Sequence, residues 1–67
     1  MNENPKLVTD YVGRIGTFIT AKGFFYRGRL EHVIGKPPTH YRIYDFKTGM
    51  EMDLLIMTIE TIKWEGS

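Results

Sequence analysis

Seven basic side chains fall between residues 14 and 47: Arg14, Lys22, Arg27, Arg29, Lys36, Arg42 and Lys47. Only Glu31 and Asp45 oppose them, a local balance of +5 inside a chain whose net charge is +1. The same stretch holds Phe18, Phe24, Phe25, Tyr26, Tyr41, Tyr44 and Phe46, seven of the nine aromatic residues. Cations interleaved with rings suit single-stranded nucleic acid, because the charges neutralise phosphates while the rings stack on bases. Arg27, Arg29, Lys36 and Arg42 are the candidate phosphate contacts, and Phe25, His40 and Tyr41 the candidate stacking groups. Solubilising charge around a β core accounts for the same residues equally well. A third use lies between copies of the chain. Residues 48 to 67 carry Glu51, Asp53, Glu60 and Glu65 against Lys63, a balance of −3. The acidic end of one copy therefore complements the basic middle of another.

Other chemistry is sparse. The chain has no cysteine, which excludes disulfides and thiolate metal sites, and only two histidines, His32 and His40. Two histidines are too few for a closed zinc site without several carboxylates, so neither metal nor cofactor is expected. Glu51 and Asp53 stand one strand face apart, but no nucleophile or orienting partner accompanies them, and exposed alternation explains them. There is no glycine-rich phosphate loop and no serine elbow, so the expectation is a protein that is not an enzyme and takes no small-molecule substrate. No apolar run approaches the roughly 20 residues of a membrane span and nothing reads as a signal peptide. A soluble, cytoplasmic protein without a membrane partner is expected.

The elements that must position these residues are mostly strands. Asn4-Pro5 reads as a helix start, Leu7, Val8, Tyr11 and Val12 form one apolar stripe, and Gly13 stops it, giving a short helix over 5–12. Strands follow over 15–22, 24–33, 40–46, 50–57 and 59–64. Gly23 is the hairpin pivot and Gly28 interrupts the second strand, the mark of a bend or bulge. Alternation turns Phe24, Tyr26 and Leu30 inward and Phe25, Arg27 and Arg29 outward. Tyr41, Ile43 and Asp45 share one face of the third strand, and Met50, Met52, Leu54 and Ile56 the inner face of the fourth. Ile59 and Ile62, three apart, indicate a tight turn before regular pairing. Gly35-Lys36-Pro37-Pro38 forms an exposed loop, and Trp64 reads as a plug for the barrel. The sum is one domain, 1–67, mainly β: a short N-terminal helix and a five-stranded, strongly bent antiparallel barrel of the SH3-like kind. So short a chain buries only about 60% of its unfolded surface, which makes assembly, or else an unusually tight aromatic core, the expected compensation.

Gly13, Gly23, Tyr26, Gly28 and Leu30, at this spacing, resemble the first motif of the Sm, Sm-like (LSm) and Hfq family of small RNA-associated barrels. The run Leu55-Ile56-Met57-Thr58-Ile59-Glu60-Thr61-Ile62 is similar in spacing to the second motif as Hfq carries it, so the resemblance covers most of residues 4 to 64. It implies an Sm-like barrel whose copies form a ring of about six or seven subunits, the fourth strand of one pairing with the fifth of the next. Leu55, Ile56, Met57, Ile59 and Ile62 are the interface candidates on that basis. It also implies RNA in the pore or across a face. The motif residues that contact RNA are altered: His40 takes the place of the Sm asparagine after a longer loop, the Sm Arg-Gly is missing, and Ile56 and Met57 replace the Lys-His of Hfq. On the opposite face, the places that take adenine-rich RNA in Hfq are held by Gly23, Phe24, Tyr26 and Arg27. The function expected is a ring-forming, non-catalytic RNA-binding protein. The alternatives are a ring that joins only proteins and a monomeric basic barrel on DNA.

Overall fold

Apolar residues recur at every second position along most of the chain, and a period of two buries one face of a strand. Five strands result: Ile15–Thr20 (β1), Phe25–Ile34 (β2), His40–Asp45 (β3), Met50–Leu55 (β4) and Ile59–Trp64 (β5). A single 3₁₀ turn, Ile56–Thr58, joins the last two. This is a computed structural model and it describes residues 11–66. The helix expected over 5–12 lies outside the described residues except for Tyr11 and Val12, which form a turn with Gly13.

The strands make one antiparallel sheet in the order β4-β3-β2-β1-β5. The expected closed barrel is corrected here: β4 and β5 are the two edges and do not pair with each other. The 3₁₀ turn bridges the gap. The Ile56 N–H donates to the Thr39 carbonyl at 2.9 Å, and the Ala21 N–H to the Thr58 carbonyl at 3.0 Å.

β2 holds the sheet together. Its first half pairs with β1, from Phe25 opposite Ile19 to Arg29 opposite Ile15. Its second half pairs with β3, from Gly28 opposite Asp45 to Ile34 opposite His40. The register shift between Leu30 and His32 is a bulge, and a bulge bends the strand that carries it. Gly28 is needed for a reason the sequence did not reveal. A Cβ at this position would lie 2.1 Å from the Tyr44 carbonyl oxygen on β3. The bulge in the ladder sits three residues on, where Glu31 is the extra residue between the Leu30–Ile43 and His32–Arg42 pairs. It moves the inward position from even to odd, so that Val33 packs on the core after Tyr26 and Leu30.

A second bulge explains the three-residue spacing in β5. Ile19 pairs with Thr61 and Thr20 with Ile59, leaving Glu60 over and turning both Ile59 and Ile62 toward the core. The fully enclosed core is small: Phe18, Leu30, Tyr41, Ile43 and Leu54. Trp64 seals one end, edge-on to Phe18 at 5.6 Å and against Tyr11 at 4.5 Å. Gly16 makes room for that indole, since a Cβ there would stand 2.8 Å from it. Two inward assignments change. Phe24 lies in the hairpin before β2 and is 58% exposed, and Met50 at the start of β4 is 64% exposed. β1 ends at Thr20 because the hairpin begins there: the Gly23 N–H donates to the Thr20 carbonyl at 2.9 Å, and Gly23 takes a φ of +90°.

These contacts separate two glycines by cost. Gly28→Ala forces backbone against backbone and should destabilise the protein by about 3 kcal/mol. Gly23→Ala meets open space and adds only the strain of a positive φ, about 1 kcal/mol. Urea melts of the two variants check this, and equal midpoints would mean that β2 and β3 do not approach so closely.

Candidate functional site

The outer face of the sheet carries the arginines, and register decides what each one meets. Arg42 stands directly opposite Asp53, and its Nε and Nη2 donate to the two carboxylate oxygens at 2.8 and 3.2 Å. Arg27 reaches across β1 to Glu65, just past the end of β5, donating from Nε at 2.6 Å and Nη2 at 2.9 Å. Arg29 donates to Glu31, the bulge residue of its own strand. Rings lie under these groups: Arg27 over Phe46 at 5.2 Å, Arg29 over Tyr44 at 5.3 Å, and Arg14 over Tyr11 at 4.8 Å. Three of the four candidate phosphate contacts are thus engaged with carboxylates. The hydrogen bonds from Arg42 and Arg27, and then their charges, hold the Asp53 and Glu65 carboxyls below their ordinary values and raise the two guanidinium groups correspondingly. Exposed pairs of this kind add little stability, because water and salt screen them.

Lys36 remains exposed in the proline loop, and no carboxylate partner for Lys22, Lys36, Lys47 or Lys63 is found among the described residues. His40 is half-buried at the start of β3, with Nδ1 2.8 Å from the Thr39 hydroxyl. Tyr41 leaves the set of stacking groups: it is 7% exposed and belongs to the core, so its ring cannot receive a base. Phe25 is 69% exposed. It lines an open cleft of about 500 Å³ with Thr17, Arg27, Phe46 and Lys47.

Phe25 and Arg27 are therefore brought together on one part of the face, while His40 and Arg42 meet around Asp53 on another. Phe46 and Lys47 were missed. Their signal lay in the turn Lys47-Thr48-Gly49, which places a ring and a cation just beyond the end of β3. That turn is fixed by Asp45, a buried carboxylate that accepts from the Thr48 N–H at 3.2 Å and its hydroxyl at 3.0 Å.

At the unclosed side of the sheet a second groove, of about 420 Å³, runs between the first hairpin and the 3₁₀ turn; Phe24, Tyr26, Leu54 and Met57 supply its apolar walls. The five interface candidates divide. Leu55 and Met57 are 39% and 84% exposed, whereas Ile56, Ile59 and Ile62 pack against the protein's own core. Met50 joins the exposed apolar residues of β4.

Compared with models of known protein families the chain matches none, and no curated protein sequence matches it. Among the described residues, no three of His, Asp and Glu come together as a metal site would require, and no helix is long and apolar enough to cross a membrane.

The paired carboxylates give a pH prediction. A carboxyl whose folded value is depressed contributes stability above its unfolded value and loses it as pH falls through the folded one. Carbonyl-carbon NMR titration should therefore show Asp53 and Glu65 staying ionised below the ordinary range. Arg42→Ala should return Asp53 to that range while Glu65 stays where it was. An Asp53 titration that ignores the variant would show that the pair does not form in solution.

Proposed function

We propose that the protein is a non-catalytic, Sm-like assembly module whose copies join edge to edge into a ring, which then offers a basic and aromatic face to single-stranded RNA. The observation that carries this reading is the strand order, which leaves β4 and β5 bare on opposite sides of one curved sheet. Unpaired edges present rows of free N–H and C=O groups, a template for another strand. Because the two edges differ, pairing of β4 with β5 of the next copy runs head to tail, and such a series makes a ring where the rotation between copies closes. The small core agrees, since assembly covers Met50, Leu55 and Met57, which a lone copy leaves in water. Bare fourth and fifth strands are also what the pairing between copies implied by the resemblance to Sm and Hfq proteins requires.

The RNA part rests on Phe25 and Phe24, both exposed, with Lys22 and Arg27 nearby in the chain and Lys47 lining the same cleft as Phe25. Arg27, Arg29 and Arg42 must exchange a carboxylate for a phosphate, so affinity is modest and falls steeply with salt. A second reading, a ring that joins proteins alone, is favoured by those same filled ion pairs.

One run of size-exclusion chromatography with light scattering and two-wavelength absorbance tests both. The expected result is a mass several times that of one chain, with nucleic acid carried along at low salt. A multimer free of nucleic acid selects the protein-only ring, and a monomer removes both. Phe25→Ala should weaken RNA retention by about 1–3 kcal/mol, the worth of one stacked base, without changing the mass.

A further inference from the structure

We propose that the bare edges join in one particular register, with Glu51 of one copy opposite Lys63 of the next. This rests on the edge-to-edge assembly proposed above and specifies it. On β4, Met52 and Leu54 turn toward the core while Glu51 and Asp53 are exposed. On β5, Ile62 and Trp64 turn inward while Thr61 and Lys63 are exposed. A slip of one residue turns a whole strand over, so a continuous apolar face requires inward residues to meet inward residues. The permitted registers then differ by steps of two.

Placing Glu51 against Lys63 sets Met52 beside Ile62, Met50 beside Trp64 and Asp53 beside Thr61. Met50, largely exposed in a single copy, gains the half-buried indole as a neighbour. Glu51 and Lys63, neither of which has an ion-pair partner among the described residues, satisfy each other. The bulge at Glu60 ends the ladder beyond Thr61.

Both neighbouring registers are worse. Sliding one way brings Glu51 against Glu65, two carboxylates face to face, and offers Lys63 to Asp53, whose oxygens already accept from Arg42. Sliding the other way sets Glu60 beside Met52 and Lys63 opposite Gly49, past the end of β4. Charge thus selects among registers that the apolar face alone allows, and fixes the head-to-tail direction.

The chain has no cysteine, so introduced pairs report without background. Residues directly opposite in an antiparallel pair have Cα atoms about 4.5–5.5 Å apart, within reach of a disulfide. Mild oxidation of the full chain carrying Glu51→Cys and Lys63→Cys should give a ladder of covalent multimers on a non-reducing gel. Asp53→Cys with Lys63→Cys should stay monomeric. A second arm uses charge: Glu51→Lys should raise the concentration at which the multimer dissociates by about fivefold, and adding Lys63→Glu should restore it. Circular dichroism confirms that each variant is folded.

A multimer that cross-links only through residue 53, or that crosses through neither pair, overturns the register and leaves the ring reading standing. Failure of the double charge swap to restore assembly overturns the ionic lock. A wild-type monomer at every concentration removes register and ring together.

Discussion

Everything in this fold depends on how closely β2 and β3 approach at Gly28. The Tyr44 carbonyl occupies the space that any larger residue would need, so the two backbones come together only because that position has no side chain. The same point in β2 is where pairing passes from one neighbour to the other, for Gly28 and Arg29 face both β1 and β3. A long strand shared in this way draws β1 and β3 around a common interior. Phe18, Leu30 and Ile43, one from each of the three central strands, are then enclosed completely. Curvature produces the core here, with no second layer of structure among the described residues to press against the sheet.

Alternation was clear in β3, where Tyr41, Ile43 and Asp45 share the face that proves to be buried, but imperfect in β1, which was legible from its β-branched and aromatic residues and whose inward residue is Phe18 rather than Ile15 and Ile19. What alternation cannot convey is a change of phase. Glu31 and Glu60 each add a residue to one strand, and beyond each of them the parity of the inner face is reversed. A bulge is a property of two strands, and neither glutamate differs in type from an ordinary outward residue. The exposure of Phe24 was hidden for a similar reason: it continues the inward parity of β2, but the hairpin holds it before the ladder starts. Tyr41 shows the converse. Its aromatic type nominated it for binding, although alternation set it on the face of Ile43, which is the buried one.

The candidate site was legible as a composition and illegible as a set of partners. The arginines of the middle of the chain do gather on the outer surface, as alternation implied, with Phe25, Tyr44 and Phe46 beside them, whereas Phe18, Tyr26 and Tyr41 turn to the core. Their pairing with Glu65 and Asp53, however, joins residues 38 and 11 positions apart and appears only once the register is known. A count of +5 for the middle of the chain therefore overstates the free positive charge, because carboxylates from the acidic end fold back onto it. The complementarity between basic middle and acidic end, which the sequence offered as a link between copies, is largely used within one copy. Among the described residues it leaves over Glu51 on one edge, Glu60 and Lys63 on the other, Arg14 and the loop lysines.

This remainder bears on why the sheet stays open. Had β4 paired with β5 of the same chain, the barrel would have closed and Met50, Met52, Ile62 and Trp64 would have met inside one molecule. The 3₁₀ turn prevents this by holding the strands apart, tied to Thr39 on one side and to Ala21 on the other. Three residues would suffice for a hairpin loop, but here they are wound into a 3₁₀ turn whose backbone is hydrogen-bonded to Thr39 and Ala21. The edges consequently remain matched to each other in apolar face and in charge but unable to meet within the chain. In the assembly proposed above each edge would meet its match on another copy, so the connection that keeps β4 and β5 apart within one chain would also direct the copies to one another.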